Sequence, residues 1–164
     1  MRIRQHDPVA LAFFLARLKS HLRITSNDLD DELLAKLFAA VENAEHFIGR
    51  IILKSTLIDT MPFASTVALS RPLISVDGLK VDGNTVDLTG CLVDVFAGTV
   101  SLPQSVTGSA VTVTYTAGMI QPPADIVNAI LLIASSLFSN PMDSVETLPK
   151  ASMRLLRPHR NYGM

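Results

Sequence analysis

The chain has 164 residues, of which 48% are hydrophobic and only 18% charged, with a mean hydropathy of +0.35; a soluble domain ordinarily carries about 25% charged residues. One cysteine excludes an internal disulfide and a cysteine-based zinc cluster within one chain. No tryptophan, 5% aromatics and a net charge of -1 leave no stacking platform and no overall positive field for tight nucleic-acid binding.

The size predicts a single domain spanning 1–164, with a core that needs no metal or cross-link. The surplus of apolar side chains predicts that part of the surface meets a partner. The longest apolar stretch, Ala129 to Leu137, is interrupted by Ser135 and Ser136 and falls short of the roughly 20 residues that span a bilayer. Asp7, Pro8, Arg17 and Lys19 spoil a secretory signal at the start, so a cytoplasmic protein without membrane contact is expected. The charges are segregated. Arg2, Arg4, Arg17, Lys19 and Arg23 open the chain, Asp28, Asp30, Asp31, Glu32, Glu42 and Glu45 follow, and from Lys150 onward Lys150, Arg154, Arg157 and Arg160 have no acid beside them. Such segments either pair between copies and set orientation or form solvated faces.

Asp7-Pro8 is a helix start, and Val9, Leu11, Phe14, Leu15, Leu18 and Leu22 predict a helix over 8–22. After the polar break Thr25-Ser26-Asn27, Leu33, Leu37, Val41, Ala44 and Ile48 recur at helical spacing and predict a second helix over 28–50. The acids of its first turn suit the positive end of the helix dipole, and Gly49 suits its C-terminal end. The β region is expected over 56–117. Ile74-Ser75-Val76 and Leu79-Lys80-Val81 read as strand, Asp82-Gly83-Asn84 as a tight turn, and Thr85 to Leu88 as the return. Leu92 to Val95, Thr99 to Leu102 and the alternating Ala110 to Tyr115 complete one small antiparallel sheet. A third helix over 123–139 is apolar around most of its circumference, as a helix buried in the core or shared with a neighbouring subunit must be. A linker, Met142 to Leu148, precedes a short helix over 150–157. The predicted fold class is α+β: a mainly helical core of three helices and a short C-terminal one, with an inserted antiparallel sheet.

No pattern of catalytic, cofactor-binding or metal-ligating residues emerges. His6, His21, His46 and His159 are scattered, and surface or capping roles are expected of them. Glu45 and His46 are adjacent on a helix, where neighbours point about 100° apart and do not form an acid/base pair. The glycines fall singly at turns instead of in a phosphate-binding loop. Cys91, beside Leu92 and Val93, reads as a small buried hydrophobe. The chain is therefore expected not to be an enzyme and to need no cofactor.

Four blocks carry a resemblance. They are Leu18-Lys19-Ser20-His21-Leu22-Arg23-Ile24 before the acidic cluster; Ala44-Glu45-His46-Phe47-Ile48-Gly49-Arg50; Val113-Thr114-Tyr115-Thr116-Ala117-Gly118 followed by Pro123-Ala124-Asp125-Ile126; and Leu148-Pro149 with Leu155-Leu156-Arg157-Pro158-His159-Arg160. In this order the sequence resembles the head-tail connector (head-completion adaptor) family of long-tailed double-stranded-DNA phages over most of its length, departing at His159, where an aromatic residue is expected. The resemblance implies a structural virion protein in a ring of about 12 copies with head-to-tail contacts. It implies, as partners, sister subunits, the portal protein and a downstream tail or head-closure connector, with at most non-specific contact with passing DNA. The location implied is the head-tail junction, reached from the host cytoplasm. Leu155, Leu156, Arg157, Arg160 and Tyr162 are the candidate portal contacts; Leu155 and Leu156 either make that contact or pack back on their own domain. A generic helical protein-protein interaction module without ring assembly is the alternative.

Overall fold

The computed structural model describes residues 1–140 and 148–161. They fall into two compact units: a β unit, Met1–Asp7 with Leu53–Ile120, and a helical unit, Pro8–Ile52 with the chain from Gln121 onward. The α+β class is as expected, with helices segregated from antiparallel sheets.

In the helical unit, α1 spans Pro8–Leu22, α2 Asp30–Ile48, α3 Ala124–Ser139 and α4 Lys150–Leu156. The second helix starts later than the acidic cluster predicts. Leu29 is its cap and Asp28 lies outside it, while Asp30, Asp31 and Glu32 form the first turn. Asp30 is recruited elsewhere, for Lys19 Nζ donates to its Oδ1 at 2.7 Å and to Asn27 Oδ1 at 2.6 Å. Gly49 ends α2 in the left-handed region at φ 69°, its N–H donating to Glu45 O, the conformation that glycine adopts without steric penalty. Ile126, Val127, Ala129, Ile130, Leu131, Ile133 and Ala134 are all buried. That settles α3 as the central helix of the unit, packed against α1, α2 and α4. The last helix ends at Leu156, one residue before the expected limit, and a 3-10 turn, Arg157–His159, carries Pro158. Most of the expected linker lies outside the described residues.

The β unit holds two sheets, not the single one expected. Strands β1 (Arg2–His6), β2 (Ser55–Pro62), β4 (Leu73–Val81), β5 (Asn84–Thr85) and β8 (Ala110–Ala117) form one, in the order β1-β2-β8-β4-β5. Strands β3 (Thr66–Ala68), β6 (Leu92–Asp94) and β7 (Thr99–Ser101) form the other, in the order β3-β7-β6. The two segments read around Asp77-Gly78 are one strand, β4, whose register against β8 shifts between Val76 and Gly78; a bulge bends a strand without ending it. The return strand is shorter than expected: only Asn84 and Thr85 pair with β4. Leu88 enters a 3-10 turn capped by Asp87, whose Oδ1 accepts from Thr89 N at 3.0 Å. Asp82 at φ 48° and Gly83 at φ 85° make the predicted tight turn. The Asp82 carboxylate accepts from Ser109 N and Ala110 N.

Strand β8 alternates half-buried threonines with buried Val111, Val113, Tyr115 and Ala117, the period-2 pattern of a sheet with one face in the core. The same alternation on β2 buries Ser55, Leu57 and Asp59. A carboxylate on an inward position must be satisfied locally. Arg2 on β1, directly opposite in register, donates Nε and Nη2 to the two Asp59 oxygens at 2.7 Å each, and Tyr115 Oη donates to Oδ2 at 2.6 Å. Tyr115 Oη in turn accepts from Ser70 N at 3.3 Å. Burial pushes the Asp59 carboxyl up, but the Arg2 guanidinium and Tyr115 hydroxyl outweigh it and hold the group below its ordinary 3.8. Burial and the bond to Asp59 raise the Tyr115 hydroxyl. Further along β1, Arg4 Nε donates to Ser55 Oγ at 3.0 Å and His6 Nδ1 lies 3.1 Å from the same oxygen.

Replacing Asp59 with asparagine should destabilise the protein at pH 7 by about 1.5–3 kcal/mol, the range for a hydrogen bond to a charged group. The folded pKa is lowered, so this contribution is complete above the ordinary 3.8 and is lost as pH falls through the folded value. Urea denaturation of wild type and Asp59→Asn should therefore differ at pH 7 and converge in acid. Gly118 has φ 126°, and an added Cβ would lie 2.6 Å from Lys54 Cα, backbone that cannot swing aside. Gly118→Ala should cost about 2–3 kcal/mol, read as a lowered urea midpoint at unchanged slope.

Candidate functional site

The C-terminal segment concentrates cations without acids from Lys150 onward. Pro149 leads into α4 in an extended conformation and its carbonyl accepts from Ser152 Oγ at 2.7 Å. Lys150, Arg154, Arg157 and Arg160 are all exposed. Leu156 is 0% exposed and belongs to the core of its own unit, so of the two leucines it is the one that packs back. Leu155 is half-buried, because adjacent helical residues face different ways. Tyr162 lies outside the described residues.

Beyond the helix, contacts of His159, Arg160 and Asn161 dock the segment on its own unit. His159 Nε2 bonds Asp125 Oδ2 at 2.5 Å, Arg160 stacks its guanidinium 5.5 Å from the Phe47 ring centroid, and Asn161 N donates to Ile48 O at 2.8 Å. The last bond satisfies a carbonyl that the end of α2 leaves unpaired. The bond from His159 lowers the Asp125 carboxyl, against a smaller opposing effect of burial. Asp125 also sits in the first turn of α3, where a negative charge suits the helix dipole. The polar partner explains why a histidine serves at 159.

The remaining titratable residues have structural roles or lie apart. Glu45 is buried and its Oε1 accepts from Ile52 N at 2.7 Å, fixing the chain just past α2, whereas His46 is exposed. The two face apart, as their adjacency on a helix requires. Cys91 is half-exposed instead of buried, since it sits in a turn with Sγ 3.6 Å from Asp87 O. Burial, and then the Asp87 charge, raise its thiol pKa, the opposite of an activated thiolate. Among the described residues no group of three or more histidine, cysteine, aspartate or glutamate side chains is placed to hold a metal ion, and no helix is long and apolar enough to cross a membrane. The sequence reading missed the Arg2, Asp59 and Tyr115 network. The signal was the alternation of Arg2, Arg4 and His6, which places three polar side chains on one face of a strand.

Neither a family model nor a curated protein matches the sequence. Solved structures do. A chain in the neck of the empty gene transfer agent particle, in a structure with C6 symmetry, is similar with a TM-score of 0.77 and 20% identity, covering 100% of this chain and 97% of that one. A chain in the neck of the native particle, with C12 symmetry, has a TM-score of 0.75 at 20% identity, and one in the virion of the native particle 0.76 at 22%, with the same coverage. The fold is that of a particle-neck chain. It extends over both units, including the β1 strand and the C-terminal segment that short motifs alone describe poorly.

The His159 and Asp125 pair is partly exposed, so its coupling should be modest, about 0.5–1 kcal/mol. A double-mutant cycle of His159→Ala and Asp125→Ala at pH 7, read by urea denaturation, should return that coupling. Because Asp125 titrates below its ordinary value, the coupling should vanish as pH falls through the lowered value.

Proposed function

We propose that this chain is a structural virion protein that forms a ring of about 12 copies between the portal vertex and the tail, as part of the DNA conduit. The observation that carries the reading is the full-length likeness to chains of a particle neck, with 97% of the neighbouring chain covered and a TM-score of 0.77. The physical character of the surface supports it. Apolar side chains remain exposed, among them Phe96 and Leu92, as expected where subunits cover one another. The acidic balance of the chain suits a wall along which DNA passes without adhering, since contact there would be electrostatic and independent of sequence. Assembly takes place in the host cytoplasm and the finished ring resides at the head-tail junction.

Within this reading the C-terminal segment faces the portal. Leu155, Arg157 and Arg160 present the contact surface, Tyr162 follows them, and Leu156 anchors the helix that carries them. A downstream tail or head-closure connector meets the other end of the ring. Electron microscopy of the purified chain with portal protein should show a ring stacked on the portal vertex. Alanine at Leu155, Arg157 and Arg160 together should weaken capture by immobilised portal about tenfold or more, equivalent to about 1.4 kcal/mol, with the far-ultraviolet circular dichroism spectrum unchanged. A chain that neither rings nor binds portal would refute the proposal.

A further inference from the structure

Two apolar surfaces of this chain are left uncovered by their own units, and they are complementary. The first is the tip of the β6–β7 hairpin, where Leu92 is 74%, Val95 43% and Phe96 96% exposed. The tip is a fixed knob. Asp94 Oδ1 accepts from Ala97 N at 2.8 Å, Gly98 turns at φ 66° with its carbonyl accepting from Leu69 N at 2.7 Å, and a Cβ on Gly98 would meet Arg71 Cγ at 2.6 Å. A preorganised turn that displays a phenylalanine gains little for its own unit, and uncovered apolar groups of this kind mark interaction sites. Asp87 and Asp94, both exposed, give the hairpin an acidic outer side, with Arg71 packed behind the turn against Gly98.

The second surface is the outward face of α1. The inward stripe of this helix, Phe14 and Leu18, is buried. Val9, Ala12, Phe13 and Ala16, spaced three and four apart on the opposite side, are exposed, Val9 at 77% and Phe13 at 44%. A surface helix normally turns charged residues to that side. Here two alanines lie beside two larger apolar groups. Arg17 stands over the Phe13 ring at 5.2 Å, and α1 contains no acidic residue. This surface is apolar and positive where the hairpin tip is apolar and negative.

We infer that the Phe96 hairpin of one subunit docks on the Val9, Ala12, Phe13 and Ala16 face of α1 in the next copy, with Asp94 approaching Arg17. The occupant is a second copy because each surface disfavours itself. Two hairpin tips would oppose Asp94 to Asp94 and two α1 faces Arg17 to Arg17, so the contact is head-to-tail, the kind that propagates by rotation and closes into a ring. The inference rests on the ring proposed above and names the contact that builds it.

Two full-length variants test it, Phe96→Asp at the tip and Ala12→Glu on the helix, both at exposed positions. Each alone should remain a monomer, by sedimentation velocity, at concentrations or portal levels where the wild type rings, with an unchanged thermal melt. Mixed, the two retain one intact junction, tip of the Ala12→Glu chain on α1 of the Phe96→Asp chain, and should yield heterodimers and nothing larger. Wild-type-sized rings from either variant alone would overturn this contact while leaving the ring itself standing. A wild type that stays monomeric with and without portal would overturn both.

Discussion

The polypeptide passes between its two units three times, after Asp7, Ile52 and Ile120, and the β unit ties these three passages together at one end of its larger sheet. Asp7 N donates to Lys54 O at 3.0 Å, Lys54 Nζ pairs with Asp7 Oδ2 at 3.3 Å, and Leu53 bridges Met119. The packing is so close that residue 118 has no room for a side chain beside the Lys54 backbone. A β-carbon at position 118 would prise this junction of the β unit open. The glycine at the end of the Tyr115-Thr116-Ala117-Gly118 run thus has a steric cause independent of any function.

At the other end of β1 from that junction, the sheet accepts a polar group where its alternation demands an apolar one. Asp59 lies on the inward face of β2, and only a guanidinium from β1 and a phenol from β8 make its burial tolerable. The consequence is specificity of pairing. An edge strand with five residues and little apolar surface has weak grounds for choosing one register, yet a slip by one residue would carry Arg2 away from Asp59 and strand a charge. Arg4 and His6 on Ser55 repeat the same logic further along.

This is also why the sequence revealed the helical unit so much better than the β unit. Helical spacing of leucine, isoleucine and alanine predicted α1 with both ends correct and α3 to within a residue, because a wide apolar stripe has one burial solution. Strand β1 was invisible to the same logic, since Arg-Ile-Arg-Gln-His is held by its polar face, and β2 was obscured by the aspartate in its middle. The second sheet escaped because β3 joins β7 only through a closure more than thirty residues long, and local pattern carries no such information. At the C-terminus the cluster of cations was legible. Which of Leu155 and Leu156 turns inward was not, because a seven-residue helix is too short for its periodicity to choose a face and only the packing against α3 decides.

The most exposed aromatic ring among the described residues, Phe96, was hidden for the converse reason. Leu92-Val93-Asp94-Val95 reads as an ordinary strand, and nothing in the alternation reveals that Leu92 and Asp94 face outward together on an edge strand while the turn beyond them lifts Phe96 clear. A folding core would have absorbed these side chains, as the helical unit absorbs nearly the whole circumference of α3. Their exposure on a hydrogen-bonded turn contrasts with the C-terminal segment, which is docked on its own unit. The basic segment is anchored through Leu156 and held by His159, Arg160 and Asn161, whereas the apolar tip is left exposed by its own unit. A subunit built to stand alone has reason to bury the second; a subunit built to meet a neighbour has reason to fix it in place and leave it bare.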